Sequence, residues 1–192
     1  MRFPIRPLLI PALAIGLAGC LPTLPHVEPE AAPHFDPVAF FAGRTEGLGV
    51  LDVRMKSPVV VRVESVGTRT DDGLELHQTI RLGDDAPTER TWRLRRTGPD
   101  AFSGTLTEAD GPVEATVEGN TLRIRYAMGG ATAVSQDLSL QPGGQVALNL
   151  MTVRVLGVPV ARLTEQIRRV GPTESDAEPA GRRGQGSGAD RP

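Results

Sequence analysis

Hydrophobic and polar residues alternate one by one along most of the chain beyond Thr45. Successive side chains of a β-strand point to opposite faces, so this pattern predicts strands that are buried on one face and exposed on the other. The apolar residues that share a face in the clearest segments are Val59, Val61 and Val63; Leu74, Leu76, Ile80 and Leu82; Trp92 and Leu94; Val113, Ala115 and Val117; and Leu122, Ile124, Tyr126 and Met128. Such sustained alternation indicates half-buried antiparallel strands.

Turn signals lie between these segments and predict short connections between the strands. They are Asp72-Gly73, Asp110-Gly111, Gly119-Asn120, Gly129-Gly130 and Gly143-Gly144. Ahead of the first strand, Asp36-Pro37 predicts the start of a short helix, because Asp is a good N-cap and Pro is tolerated in the first turn. A short helix followed by about eight to ten closely spaced strands favours a barrel over a sandwich. We therefore predict an all-β fold: a single antiparallel β-barrel, lipocalin-like in architecture, over residues 36–170.

Two structural questions stay open at this level. The segment 158–170 fits a helix through Val160, Leu163, Ile167 and Val170, and fits a strand about as well through Ala161, Leu163 and Ile167. The interior of the barrel is also undecided, because barrels of about eight strands either fill with side chains or hold one small ligand. Medium-sized inward residues and an aromatic content of 4% leave room for a cavity, whereas ten strands can also flatten into a solid two-layer core.

The first 20 residues have the layout of a bacterial secretory signal peptide that ends at a lipobox. A short apolar run leads into Leu17-Ala18-Gly19-Cys20, and the run is about half as long as the ~20 residues that span a membrane. We predict removal of residues 1–19 by cleavage between Gly19 and Cys20, and acylation of Cys20, the only cysteine. More than one acyl chain on Cys20 would anchor the protein stably at a membrane. Because Leu21 rather than Asp follows the cysteine, we expect a location in the outer membrane of the bacterial cell envelope, facing the periplasm.

The segments on either side of the predicted barrel have the composition of unstructured chain. Residues 20–35 are rich in proline, which predicts an extended tether. Residues 171–192 are mostly small, polar or charged and cannot bury apolar surface, so we predict a disordered tail. The 21 basic and 23 acidic residues nearly balance, and no nucleic-acid partner is expected. Nothing in the sequence fixes the oligomeric state.

Short motifs between Phe40 and Arg169 are similar to those of one bacterial protein family. They are Phe40-Phe41-Ala42-Gly43 and Gly47-Leu48-Gly49-Val50; Asp84-Asp85 and Glu89-Arg90-Thr91-Trp92; and Gly157-Val158-Pro159-Val160 and Arg168-Arg169. On these motifs the chain resembles the uncharacterised bacterial lipoprotein family known as domain of unknown function 3833. The resemblance implies a barrel-type lipoprotein and, because some members occur near genes for modifying membrane fatty acids, a lipid-related role. An acidic strand and an Asp-Trp pair of the family are replaced here by Leu76-His77-Gln78-Thr79-Ile80 and Gln136-Asp137-Leu138.

Residues able to perform acid/base chemistry are few. Glu75 and His77 share a strand face and form the best candidate pair, but they alternate with an apolar face, which is typical of a solvated outer surface. The glycines Gly47 and Gly49 continue into a strand rather than a helix, so they predict a bend or a close backbone approach and not a phosphate loop. We predict no enzyme activity, no metal site and no cofactor.

Three functional hypotheses follow. The first is a non-enzymatic binder or carrier of a lipid or another apolar small molecule, with Cys20 at the membrane and Val, Leu and Ile side chains around the ligand. The second is a structural or interaction lipoprotein with a filled core that binds another envelope component. The third is a lipid-acting enzyme that uses His77. The sequence does not identify the ligand, the membrane leaflet or the partner.

Overall fold

The computed structural model describes residues 33–171. These residues form one short helix, α1 (Pro37–Phe41), followed by ten β-strands. The strands are β1 (Gly43–Val53), β2 (Val59–Arg69), β3 (Gly73–Leu82), β4 (Thr88–Gly98), β5 (Ala101–Leu106), β6 (Val113–Glu118), β7 (Thr121–Met128), β8 (Thr132–Leu140), β9 (Val146–Val155) and β10 (Val158–Val170).

The ten strands close into one antiparallel up-and-down barrel. Each strand pairs with the next along the chain, and β1 pairs with β10 from Arg44 opposite Val170 to Val53 opposite Ala161. The predicted all-β barrel with a short leading helix is confirmed. The segment left open between helix and strand is β10, whose residues alternate between buried and exposed. Pairing on both sides explains this outcome, because β9 and β1 each provide a ladder of hydrogen-bond partners for β10.

The helix α1 covers one end of the barrel, which we call the helix end. Asp36 caps α1 because its Oδ1 accepts hydrogen bonds from the backbone N–H groups of Val38 and Ala39, at 2.9 and 3.1 Å. The rings of Phe40 and Phe41 meet edge to face with centroids 4.9 Å apart. The turns that follow even-numbered strands lie at this end.

The main core cluster fills the helix end and continues along β5 and β6 to the other end of the barrel. Phe102 and Leu122 are almost completely buried at the helix end, as the second residues of β5 and β7, and Leu106 and Val113 are buried at the opposite end of β5 and β6. A second cluster lies toward the opposite end, and partly exposed side chains complete it. Its members are Val61, Val63 and Leu163, with Leu51, Ile80, Leu82 and Met151 packed against them.

The opposite end of the barrel, which we call the loop end, carries the turns that follow odd-numbered strands. Within residues 33–171, only Met55 and Leu156 are non-glycine residues with positive φ, at 65° and 51°. Both lie in turns at this end, Met55 between β1 and β2 and Leu156 between β9 and β10. An L-residue with a Cβ pays about 1–2 kcal/mol for this left-handed conformation.

Candidate functional site in the barrel interior

A cavity of about 50 Å³ lies inside the barrel, below α1 and next to the helix-end core. Its apolar wall contains leucine and isoleucine side chains from five strands together with Pro37 and Phe41. Its other wall is polar, which is unusual for the inside of a small barrel. The polar residues and the indole on this wall are Gln78, Arg90, Trp92, Gln136, Asn149 and Glu165.

Gln78 connects one half of the polar wall. Its side-chain oxygen accepts hydrogen bonds from Nε of Arg90, at 2.8 Å, and from the indole Nε1 of Trp92, at 2.6 Å. Its nitrogen donates to Oγ of Ser65 at 3.0 Å. The Arg90 guanidinium lies 5.4 Å from the centre of the Trp92 ring and reaches Glu108 at the surface. Arg90 therefore links the buried amide to the rim of the barrel.

A second chain of hydrogen bonds runs across β7, β8, β9 and β10. Gln136 donates to the hydroxyl of Tyr126, and Asn149 donates to the side-chain oxygen of Gln136, both at 3.3 Å. The same Asn149 nitrogen donates to Oε2 of Glu165 at 2.9 Å. The Tyr126 ring meets Trp92 edge to face with centroids 5.7 Å apart. This aromatic contact joins the two halves of the polar wall.

Glu165 is the most unusual residue of the site, because its carboxyl is inside the barrel and only 6% of the residue is exposed. Burial raises the pKa of Glu165, and the hydrogen bond from Asn149 and the charge of Arg90 oppose that shift. Burial likewise raises the pKa of Tyr126. A carboxyl with a raised pKa, next to a cavity, is typical of binding and catalytic sites.

Space for the Glu165 side chain comes from the glycines of β1. A Cβ at Gly47 would lie 2.0 Å from Oε1 of Glu165, and one at Gly49 would lie 2.5 Å from the backbone oxygen of Thr164. The Gly-x-Gly segment thus allows the close approach that its position in a strand predicted.

Two buried oxygen atoms have no hydrogen-bond partner among the described residues, Oδ1 of Asn149 near the middle of the barrel and Oγ1 of Thr45 near its helix end. Asn149 lines the cavity, and its orphan atom is an acceptor. An unsatisfied buried polar atom costs about 1–3 kcal/mol, so such atoms usually meet a water or a ligand. The cavity has room for waters, which need about 10–15 Å³ each.

The sequence-predicted pair Glu75 and His77 does come together on the outer face of β3. Nε2 of His77 lies 2.8 Å from Oε1 of Glu75, and Thr91 Oγ1 lies 3.0 Å from the other ring nitrogen. Hydrogen bonds from Arg93 and His77 lower the pKa of Glu75, which keeps this carboxylate ionised. More than half of the His77 side chain is exposed. The pair is thus a surface network on the outside of the barrel, on the opposite face of β3 and β4 from the polar wall.

The other sequence-based site residues, Gly19 and Cys20, lie outside the described residues, as do the signal peptide and most of the predicted tether and tail. Within residues 33–171, no group of three His, Asp or Glu side chains is arranged to hold a metal ion. No helix in that range is long and apolar enough to cross a membrane.

The polar wall was not predicted as a site, although two sequence motifs contribute to it. Arg90 and Trp92 belong to the Glu-Arg-Thr-Trp motif, and both donate to one acceptor atom, Oε1 of Gln78. Gly47 and Gly49 belong to the Gly-x-Gly motif and make room for Glu165. In each motif the two contributing residues are separated by one residue, so they share one face of a strand. This i, i+2 spacing is the sequence signal that points to the site.

Comparisons with known proteins support the fold and identify the family. The barrel is similar to the S-type phycobiliprotein lyase of Guillardia theta, with a TM-score of 0.57 and 7% identity over 71% of this chain and 92% of the lyase. A protein of unknown function from the DUF3598 family of Nostoc punctiforme gives a TM-score of 0.49 and 13% identity over 73% of this chain and 51% of that one. No curated protein matches the sequence. The model of the family described as "Protein of unknown function (DUF3833)" matches residues 14–169, and the chain belongs to that family.

Proposed function

We propose that the protein is a non-enzymatic binding protein whose barrel holds an apolar small molecule that has a hydrogen-bonding group at one end. In this proposal it is a lipoprotein of the bacterial cell envelope, anchored through acylated Cys20 in the outer membrane and facing the periplasm. A lipid or a lipid-derived molecule is the ligand class that suits both the anchor and the barrel. The anchor would keep the protein next to the lipid bilayer, in which such a molecule dissolves.

One observation carries the binding proposal: the buried pair Asn149 and Glu165 faces a cavity with an acceptor atom left over. A core that serves stability alone gains nothing from a buried carboxyl, because its desolvation is costly and Asn149 compensates only part of that cost. A buried polar group that does not contribute to stability is expected at a site where a protein binds a ligand.

The unsatisfied groups define the polar end of the ligand. Asn149 Oδ1, in the cavity wall, lacks a donor, and the oxygens of the neighbouring Glu165 carboxyl also accept hydrogen bonds. A hydroxyl or amide N–H donor fits this set of acceptors, whereas an ionised carboxylate has no donor to offer them. The ligand is therefore an alcohol or an amide rather than an ionised fatty acid.

The size of the cavity restricts what it holds. A volume of about 50 Å³ accommodates a small head group, whereas pockets for whole drug-sized ligands measure about 300–1,000 Å³. The apolar part must therefore extend toward the loop end, where Leu51, Leu82 and Met151 point inward and are partly exposed. Side chains of this size and type can shift to admit a chain, methionine most readily.

Ligand binding can be measured through Trp92, the single tryptophan, because its ring lies in the cavity wall. We expect hexadecanol to shift the Trp92 emission at lower concentration than hexadecane or ionised hexadecanoic acid. Asn149→Leu should remove the preference for the alcohol. Gln166→Leu, on the exposed face of the same β10 ladder, is the matched control and should change nothing.

Native mass spectrometry of the protein purified without denaturant gives the complementary measurement. We expect an added mass that disappears on extraction with organic solvent. A protein without added mass, and with a Trp92 emission that none of the three probes changes, would contradict the binding proposal.

The anchor is tested separately. Cys20→Ala should abolish incorporation of labelled palmitate, because Cys20 is the only thiol of the chain. Undiminished labelling of this variant would refute the lipoprotein assignment and would leave the binding proposal standing.

A second candidate, an interaction protein that binds another envelope component, is favoured by an apolar surface on the outside of the barrel. Leu48 and Val50 on β1, Val60 on β2 and Leu148 on β9 are all exposed, with β10 lying between β1 and β9. Contiguous exposed apolar surface of this kind is typical of interaction sites. Failure of both ligand measurements, together with loss of a bound envelope protein in Leu48→Ser, would favour this candidate.

A further inference from the structure

Two neighbouring turns at the loop end carry apolar side chains at their tips. Met55, in the β1–β2 turn, is 96% exposed, and Leu156, in the β9–β10 turn, is 80% exposed. The backbone N–H of Arg54 donates to the carbonyl oxygen of Val160 over 2.9 Å, so the two turns lie side by side. Val155 and Val158 are also exposed, beside Leu156. We call these four residues the apolar tips.

The backbone of both turns is unfavourable for the side chains that it carries. Met55 is the third residue of a turn that is closed by a hydrogen bond from Lys56 N–H to Val53 O, and a positive φ at that position favours Gly. Leu156 and Gly157 form a two-residue hairpin turn with positive φ at both, for which Asn-Gly is the preferred sequence. Met55 and Leu156 are unfavourable residues for these turns, and because they are exposed they do not stabilise the core. Residues that are unfavourable for both the backbone conformation and the core are typical of functional positions.

The charges around the apolar tips are positive. Arg54 and Lys56 flank Met55, and Arg154 precedes Val155. Arg54 and Lys56 form no salt bridge with another residue of 33–171, whereas Arg154 donates a hydrogen bond to Ser135 Oγ at 3.1 Å.

Apart from Asp52, which lies opposite Arg162 in the β1–β10 ladder, the acidic residues of the loop end lie in other turns. Asp84 and Asp85 are in the β3–β4 turn, and Glu108 and Asp110 are in the β5–β6 connection. One side of the loop end is therefore apolar and cationic, and the other side is anionic.

We propose that the apolar tips insert into the surface of a membrane that contains anionic lipids. Exposed apolar side chains gain free energy when they enter the boundary between head groups and acyl chains, and cations beside them are attracted to anionic head groups. This contact places the partly exposed interior of the loop end against the lipid. It depends neither on the identity of a ligand nor on acylation of Cys20.

The test uses the full chain with Cys20→Ala and one new cysteine, Met55→Cys, labelled with an environment-sensitive fluorophore. The matched control carries Ala86→Cys in the acidic β3–β4 turn at the same end of the barrel. Vesicles of phosphatidylcholine with and without phosphatidylglycerol are then added. We expect a blue shift for the label at position 55 with the anionic vesicles, a shift that salt weakens, and little change for the label at position 86.

Variants in the same background separate the apolar from the electrostatic contribution. Leu156→Asn suits the hairpin turn and keeps the fold, so we expect normal folding and a several-fold weaker vesicle affinity. Arg54→Ser and Lys56→Ser should each weaken binding to anionic vesicles about fivefold. The proposal is overturned by an unshifted label at position 55, by equal shifts at positions 55 and 86, or by an affinity that Leu156→Asn leaves unchanged. A shift that needs an added envelope protein instead of lipid also overturns it.

Discussion

The helix end and the loop end of the barrel are built from the same alternating strands and differ in how completely they exclude water. At the helix end, α1 and its phenylalanines cover the opening, and inward residues such as Leu122 are fully buried. At the loop end, Leu106 and Val113 are buried, but inward residues on β1, β3 and β9 such as Leu82 stay partly exposed, and two turns present apolar side chains to solvent. The polar wall lies between them. We therefore expect the helix end to contribute most of the stability, and the recognition that we propose lies at the loop end.

The largest expected effect tests where the stability lies. Leu122→Ala at the helix end should reduce the free energy of unfolding by about 2–5 kcal/mol, because it leaves a cavity in rigid surroundings. The same substitution at Leu82 should cost about 1 kcal/mol, because less apolar surface is removed from water there. Urea unfolding of the two variants gives both values. Equal losses would show that the ends do not differ in stability.

A smaller effect is expected midway along the barrel. Gly49→Ala places a Cβ 2.5 Å from the backbone oxygen of Thr164, so β1 and β10 must move apart, at a cost of about 1–3 kcal/mol. Gly47→Ala is the matched variant, because the atom that it meets is the end of the Glu165 side chain, which can rotate away. We expect a lower melting temperature for Gly49→Ala than for Gly47→Ala. The reverse order would contradict the close approach of β1 to β10.

Glu165 should make stability fall as the pH rises. Burial raises its pKa above the ordinary 4.5, so the folded state binds this proton more tightly than the unfolded state does. Stability contributed by the protonated form is complete below pH 4.5 and is lost as the pH rises through the raised pKa. In Glu165→Gln, urea midpoints measured from acidic to neutral pH should lack this decline. Parallel pH profiles for the two proteins would rule out the buried carboxyl as its source.

The smallest expected effect is a gain in stability at the loop end. Leu156→Asn should raise the free energy of unfolding by about 1 kcal/mol, because Asn tolerates the left-handed conformation better than Leu. Thermal unfolding measures the change, with Leu156→Ala as the control that removes the side chain but keeps the strain. A loss of stability in Leu156→Asn would mean that Leu156 packs in the folded protein and is not held there for recognition.

The barrel was predictable from the sequence because alternation and turn signals are local properties. Residues of β2, β3, β6 and β7 lie on the faces that their alternation predicted. The polar wall was not predictable in the same way. In β9 the exposed Leu148 precedes the buried Asn149, the opposite of what polarity alone indicates. Which face of a strand is inside depends on its register with its neighbours, and a shift of one residue exchanges the faces.

Glu165 illustrates a second limit. Its segment fitted a helix and a strand equally well, so its orientation was open until the pairing with β1 and β9 was known. The glycines opposite it predict a bend or a close backbone approach, but the sequence does not say which side chain occupies the space. Contacts between residues more than 100 positions apart, as between Gly49 and Glu165, lie beyond any local pattern.

The pairing of β1 with β10 also has a consequence for how the protein reaches its folded state. The first strand has no partner on one side until the last strand arrives, and the closing ladder joins residues as distant as Arg44 and Val170. Contacts between such distant residues slow folding. A chain delivered from its N-terminus therefore keeps two unpaired strand edges open until its final strand is available. During that interval it is prone to pair with other chains, and a chaperone that shields strand edges would matter more before closure than after it.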